Sequence, residues 1–409
     1  MRIGIFTDTY PPFINGVSTS IAMLEKSLLE QGHEVFIVTV NPENMSYKYE
    51  EHERVIRIPG IPIGIYDYRL TGIYPLRAIS KIKKWNLDII HSHTEFGVGT
   101  FARIISKQFG IPLVHTYHTM YEDYVYYITK GYFDKSSKKI VEYLTKFYCD
   151  KTTKELIVPS KKTYDLFKEK YKVEKNVHIV PTGIDTERFK KEKTSPEQTS
   201  KLKKELGIKK DDFVILYVGR LAKEKNIDLL IEGQTKINSK KSKLVIVGSG
   251  PDYEHYINLA EKLGVSKSVI LTNSIPWEII PEYYQLADVF VTASNTETQG
   301  LTLIEAMSGS IPVVCLDDES FRDILIDSVN GKFFKNQKEY IDAINYLINN
   351  PEIRNEMSNQ AGITAKNHSL KHFSDDILKV YKSALEKDKN KKIIDKVKNA
   401  IKGKSDEDK

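Results

Sequence analysis

The sequence predicts an α/β protein made of two doubly wound domains, each with a parallel sheet. Short apolar runs rich in β-branched residues recur along the chain and alternate with segments of helical spacing, the pattern of strand–helix units. Several of these runs end in loops carrying Gly, His or acidic residues, at the sheet edge where such folds bind ligands. A length of 409 residues with 40% hydrophobic content is enough to bury two separate cores.

Bulk properties narrow the function classes. There are two cysteines, Cys149 and Cys315, both among apolar or aromatic neighbours, so they are expected to be packing residues in a reducing, cytosolic compartment. Residues 1–6 are followed at once by Asp8 and do not make a secretory signal, and no apolar stretch reaches the length of a membrane span. A net charge of +6 suits an acidic partner, whether nucleic acid, anionic lipid or a phosphorylated substrate. Helix-turn-helix, zinc-finger and aromatic RNA-binding signatures are not found, so nucleic acid is not expected.

The first strand is expected at 3–6. It leads into a loop, 7–18, that holds Tyr10, and a helical pattern follows at Ile21, Leu24, Leu28 and Leu29. Gly16 would let the backbone approach a ligand and Ser18 is placed to cap the helix, which makes the loop a phosphate or sugar cradle by position. By itself, Asn15-Gly16 is also a common turn. Strands follow at 35–40 and 55–58. Residues 59–75 have no regular period and precede Arg77, Lys81, Lys83, Lys84 and Trp85. Two readings stand: a surface for the headgroup layer of an anionic membrane, or a packed loop beside a solvated helix.

Strands at 87–91 and 112–115 place His91, His93, Glu95, His115, Tyr117, His118 and Tyr121 at or beyond their carboxyl ends. Without a His-x3-His helix or cysteine partners, metal binding by these histidines is weakly specified. His91 and His115 are expected to be satisfied internally, while His118, one loop further out, is the candidate for touching a sugar. Helices near 138–150 and 163–170 flank a strand at 155–158, and the first domain closes with 177–185. Residues 190–210 read as a charged connector with one helix.

The second domain opens with a strand that delivers Gly219, Arg220 and, five residues later, Lys225 to one edge, just before a helix expected to be capped by Asn226. Two fixed cations there would neutralise a diphosphate. Residues 244–251 repeat the plan with Gly248 and Gly250 as points of close backbone approach, and a strand follows at 269–271. Between strands at 287–294 and 311–316 lies Glu297, the turn Thr298-Gln299-Gly300, and a helix beginning at Leu301 and carrying Glu305 about one turn in. The unpaired amides of that helix start are a natural anion site. Glu297 can reach one end of a ligand and Glu305 the other, a division that a nucleotide sugar fits. Two surface carboxylates would look the same in isolation. Helices near 340–349, 352–365 and 373–385 end the fold. Beyond them Ile393, Ile394, Val397 and Ile401 share a helical face among lysines, as in a membrane-surface helix or a solvated tail.

Taken together, Glu297 with Glu305, Gly219-Arg220 with Lys225, residues 248–251, Asn15-Gly16-Val17-Ser18 and residues 181–185 resemble the retaining glycosyltransferases of family GT4. Within that family, residues 296–302 and 115–124 look most like bacterial 1,2-diacylglycerol 3-glucosyltransferases. The resemblance implies the GT-B fold: Rossmann-like domains at 1–185 and 186–370 facing a cleft, a helix at 371–386 crossing back to the first domain, and a basic tail at 387–409. It also implies transfer of a hexose, expected to be glucose, from UDP-glucose to diacylglycerol on the inner face of the cell membrane. No metal or other cofactor is expected, since side chains and a helix dipole take the metal's place.

By the same resemblance, Arg220 and Lys225 would hold the diphosphate with Gly16, Gly219 and Gly248 close by, and Glu305 the ribose. Glu297, Thr298 and the amides of Gln299, Gly300 and Leu301 would hold the sugar, and His118 would touch it near the reacting carbon. Tyr10, Glu95, Tyr117 and Tyr121 are the expected acceptor contacts. Thr182 stands where the family commonly carries Asn. Other expectations keep the fold but change the hexose, or use a glycolipid or soluble glycan as acceptor. A non-catalytic nucleotide-sugar-binding protein at the membrane is the alternative of another class.

Overall fold

The computed structural model describes residues 1–13, 15–50, 53–62, 69–72, 74–95, 97–118 and 142–407. The chain divides into two compact units, one of residues 1–183 together with the chain from Lys371 onward, the other running from Ile184 to Leu370.

The first unit is an eight-stranded sheet. Its strands are β1 (Arg2–Phe6), β2 (Glu34–Val40), β3 (Lys48–Glu50), β4 (Val55–Ile58), β7 (Ile89–Ser92), β8 (Leu113–Thr116), β9 (Glu155–Val158) and β10 (Val177–Ile179). A two-stranded ribbon, β5 (Gly60–Pro62) and β6 (Arg69–Thr71), stands apart from it. The order is β10-β9-β8-β7-β1-β2-β4-β3, parallel except for the edge pair β3–β4. Strands buried on both faces read as nearly continuous apolar runs, as β2 does with every residue after Glu34 buried. One face sets Ile3, Ile5 and Ile37 against the helix Gly16–Glu30 and against Phe373, Ile377, Val380 and Tyr381 of the last helix. The other sets Phe6, Phe36 and Val38 against Ala78 and Ile82 of Leu76–Lys84 and Phe101 and Ile105 of Gly97–Phe109.

The second unit is a six-stranded, wholly parallel sheet. Its strands are β11 (Phe213–Val218), β12 (Ser242–Val247), β13 (Val269–Leu271), β14 (Val289–Thr292), β15 (Val313–Leu316) and β16 (Gly331–Phe334), in the order β13-β12-β11-β14-β15-β16. Alternate residues of β11 enter opposite cores: Val214 and Leu216 join Phe290, Leu303 and Met307, while Ile215 and Tyr217 join Leu230, Val291 and Tyr340. In each unit the winding reverses next to the first strand, between β1 and β7 and between β11 and β14. The loops leaving those strands are therefore where a doubly wound sheet opens to ligands.

Two caps differ from expectation. The first helix is capped by Asn15, whose Oδ1 accepts from the Ser18 amide at 2.9 Å, because Ser18 already lies inside the helix. Asn226 makes no side-chain cap; it takes the left-handed conformation at φ 51°, where its backbone turns the chain into the helix Ile227–Gln234. The last helix is also longer than the periodicity suggests, continuing from Leu370 to Glu407 through the basic segment. Among the described residues no helix is long and apolar enough to cross a membrane.

Candidate functional site

In the second unit, β14 ends at Thr292 and the chain turns through 293–300 into the helix Leu301–Ser308. Gly300 makes this turn at φ 82° with the Phe321 ring behind it, where an added Cβ would lie 2.5 Å from Cε1, so only glycine fits without displacement. The helix start has no side-chain cap, which leaves its first amides for an anion. On the neighbouring strand, β11 leads through Gly219 and Arg220 to Lys225, and adjacency of β11 and β14 brings the two loops together. Lys225 Nζ lies 2.5 Å from Glu297 Oε1 and 3.4 Å from Ser294 Oγ. Burial alone would raise the Glu297 carboxyl, but the Lys225 ammonium and the hydrogen bonds from Lys225 and Ser294 outweigh it and hold Glu297 below its usual range.

The Arg220 loop is braced from below, since the Tyr217 hydroxyl donates to the Arg220 carbonyl at 3.0 Å and the Gly219 amide donates to the Val247 carbonyl at 3.0 Å. Gly248 has a different reason to be glycine from the one the sequence suggests. At φ 142° its added Cβ would sit 2.0 Å from the Gly219 carbonyl oxygen, so it serves the packing of two loops on each other. Gly250 packs in the same way on the Leu221 carbonyl.

Glu305 belongs to a second cluster. Tyr284 Oη donates to its Oε2 at 2.6 Å. Burial pushes the Glu305 carboxyl up to about 7, against the opposing pull of the Tyr284 hydrogen bond and the Arg188 guanidinium. Arg188 lies 3.3 Å above the Trp277 ring and its Nη2 donates to the Trp277 carbonyl at 2.5 Å. Sequence reasoning missed Arg188, Tyr284 and Trp277; Arg188 stands three residues beyond the 181–185 motif, and nothing in the local pattern marks the other two. Thr298 and Leu301 are partly exposed and Gln299 is buried, all at the same turn.

In the first unit, an added Cβ on Gly16 meets nothing within 4 Å, so the helix start is open there. Thr182 is buried, its hydroxyl 3.0 Å from that of Ser20. His118 is partly exposed at the carboxyl end of β8, and its Nε2 lies 2.9 Å from His93 Nδ1. His91 is satisfied between the Tyr381 hydroxyl and Thr116 Oγ1, each at 2.7 Å. His115 is satisfied by Ser92 and by Glu95, whose Oε1 is 3.0 Å from Nε2.

The described residues expected at an acceptor are interior. Tyr10 is buried and donates to Glu25 at 2.6 Å, Glu95 is buried against His115, and Tyr117 is 1% exposed with its ring edge-on to Phe167. All three lie in the loops just beyond β1, β7 and β8, where these side chains turn inward to partners in the first unit. Tyr121 lies outside the described residues. Asp8, also unanticipated, accepts from the Val98 amide at 2.9 Å at the start of the third helix. Burial pushes its carboxyl up to about 6, despite hydrogen bonds with Val98 and Thr94 that pull it down.

Among the described residues, Glu95, His115 and Cys149 form a possible metal-ligand group, with one ligand atom each within 4.8 Å of one another. The same groups also take part in a buried polar network. Burial holds the Cys149 thiol well above its usual range, His115 is engaged at both nitrogens, and the Arg103 guanidinium sits beside them, donating to the carbonyls of Gly99 at 2.7 Å and Thr94 at 3.4 Å.

Comparison with known proteins matches both halves. A family model described as Glycosyltransferase Family 4 matches residues 14–188, and one described as Glycosyl transferases group 1 matches 198–364. The alpha-monoglucosyldiacylglycerol synthase of Acholeplasma laidlawii is 35% identical over 400 residues, covering 96% of this chain and 99% of its own. The enzyme of the same name from Streptococcus pneumoniae is 35% identical over 349 residues, 84% of this chain and 77% of its own. Among solved structures, HepE of Anabaena in complex with UDP and glucose superposes with a TM-score of 0.72 at 17% identity, over 93% of this chain and 99% of its own. WaaG, a glycosyltransferase involved in lipopolysaccharide biosynthesis, gives a TM-score of 0.69 at 17% identity, over 93% of this chain and 99% of its own.

Proposed function

The chain belongs to glycosyltransferase family 4, and from that premise we propose that it transfers glucose from UDP-glucose to the 3-hydroxyl of 1,2-diacylglycerol with retention, in glycolipid synthesis at a membrane surface. The names of the two 35%-identical relatives support the acceptor and the product class. The observation that carries the donor half is the 2.5 Å Lys225–Glu297 pair beside the helix start at Leu301, which no side chain of the Gly300 cap closes: a cation, a carboxylate and a helix N-terminus at one sheet edge.

In the proposed reaction the bond from the sugar's C1 to the diphosphate oxygen breaks. The acceptor oxygen bonds to C1 on the same face, and the acceptor's proton passes to the departing phosphate oxygen. Arg220 and Lys225 meet the charge that builds on the diphosphate, where a fixed charge in a water-poor site does most. Glu297 and the amides at 299–301 hold the sugar hydroxyls, Glu305 holds the ribose, and His118 touches the sugar near C1. These cations and amides take the part that a metal plays elsewhere, so a chelator should leave turnover unchanged.

The membrane surface rests on exposed apolar groups beside bases. Leu76 is 72% exposed on the helix that also carries Arg77, Lys81, Lys83 and Lys84, and Ile393 and Ile394 are exposed on the basic end of the last helix. We place the protein peripherally on the inner face of the cell membrane.

The test is a panel of labelled UDP-hexoses with detergent-dispersed diacylglycerol, products being separated by thin-layer chromatography and the anomer read by α-glucosidase digestion. UDP-glucose should give an α-monoglucosyl lipid, and Lys225→Ala should slow it by about a hundredfold. Label arriving only from another hexose, or only on a lipid already glycosylated, would overturn the assignment.

A further inference from the structure

The His93 ring makes one hydrogen bond among the described residues, and it is to His118. His93 is 2% exposed, its Nδ1 lies 2.9 Å from His118 Nε2, and its buried Nε2 has no hydrogen-bond partner. The two rings are nearly coplanar, 20° apart, with centroids 5.2 Å from each other, close to the N···N distance plus two ring radii. They therefore meet edge to edge, in the plane of an N–H···N bond. The His91 ring lies against His93, tilted by 39° with centroids 4.0 Å apart, and both of its own nitrogens are engaged by Tyr381 and Thr116.

At neutral pH both partners are uncharged. Burial holds His93 well below the usual imidazole range, with His91, His118 and His115 adding to the effect. Burial likewise takes His118 down to about 4, Glu95 opposing and His115 assisting. One proton then lies between Nδ1 of His93 and Nε2 of His118, and it can belong to either. If it belongs to His118, neutral His93 must carry its own proton on Nε2, a buried N–H with no acceptor. If it belongs to His93, the orphan is only a lone pair. Buried donors without partners are the rarer and costlier defect.

We propose that His93 is a positioning residue that donates from Nδ1 to His118 and so fixes His118 as the Nδ1–H tautomer, presenting a hydrogen-bond donor to the transferred sugar. The sugar contact rests on the function proposed above; the tautomer does not. A donor at this place suits a sugar hydroxyl or ring oxygen, and it leaves deprotonation of the acceptor to the departing phosphate. The sheet makes the arrangement possible. His93 follows β7 and His118 follows β8, neighbouring parallel strands whose carboxyl ends lie side by side.

The experiment is two-bond proton–nitrogen NMR on protein labelled with 15N-histidine, assigned by single substitution among the ten histidines. Wild type should show His118 with its proton on Nδ1. His93→Asn keeps a donor near that place and should preserve both the tautomer and the activity. His93→Phe keeps the bulk without the donor and should return His118 to Nε2–H, with kcat about tenfold lower and the donor KM within about twofold. A His118 that carries its proton on Nε2 in wild type, or that stays Nδ1–H in His93→Phe, would overturn the proposal. The spectra need no substrate, so failure of the proposed reaction leaves this inference standing, and an unmoved tautomer with falling activity sinks it alone.

Discussion

Glu305 lies where its charge is costly, and Arg188 offsets part of that cost. Its carboxyl stays protonated up to about 7 in the folded protein, against an ordinary 4.5. Folding thus gains from this group below about 4.5, and the gain is lost as pH rises through 7. Ribose binding runs the other way, because two hydroxyls donate best to the ionised form. The affinity for UDP should rise about tenfold between about pH 6 and pH 8. Glu305→Gln should remove that slope, and Arg188→Met should move it to higher pH. Calorimetric titration with UDP checks both, and an unchanged slope in Glu305→Gln refutes the role. The positions of Lys225 and Glu297 beyond two neighbouring strands, and of Glu305 in the helix that follows, were legible because the strand and helix pattern is local; their roles are proposals. Arg188, Tyr284 and His93 were not, since each matters through a partner that only the folded chain brings near. The same holds for Gly248, whose glycine answers to another loop's carbonyl.

At the scale of elements, the last helix is part of the first unit's wall. Ile377 is 1% exposed and packs with Ile3, Ile5 and Ile37, while Ser374 Oγ meets Ser27 Oγ at 2.7 Å. Ile377→Ala should cost about 2–5 kcal/mol in denaturant unfolding; a loss near zero would mean that the helix is only appended. Farther along, Glu155 accepts from His178 at 2.9 Å, Ser383 at 2.8 Å and Lys387 at 2.5 Å. Burial would raise the Glu155 carboxyl, but those hydrogen bonds prevail and take it down to about 2. Its stabilisation is present above about 4.5 and lost as pH falls towards 2, so Glu155→Gln should flatten acid unfolding over that window. If acid melting of the two proteins coincides, the network is idle. Apolar, β-branched strands were plain in the sequence even at three or four residues, as β13 and β4 are, whereas β3, the ribbon β5–β6 and β16 were not. These carry charged residues, Gly or Pro in place of an apolar run and are set by pairing with a neighbour.

For the whole molecule, the proposed membrane attachment rests on a net charge of +6 and on the exposed apolar groups at 76 and 393–394, so it would draw on both charge and insertion. Flotation should require vesicles with anionic lipid and weaken as salt shortens the screening length from about 10 Å at 0.1 M. Equal binding to neutral vesicles would refute the electrostatic part. The chain's path bears on how it is made. The first unit begins at Met1, is interrupted at Gly183 and resumes at Lys371, with Phe373, Val380 and Tyr381 closing its core. On the ribosome, then, the face of the first unit's sheet that carries Ile3, Ile5 and Ile37 waits with only the helix Gly16–Glu30 on it while 187 residues of the second unit, 184 to 370, emerge uninterrupted and fold. The first unit is therefore completed only after the second has been made, and a nascent-chain protease assay should find it cleavable until Tyr381 has left the ribosome.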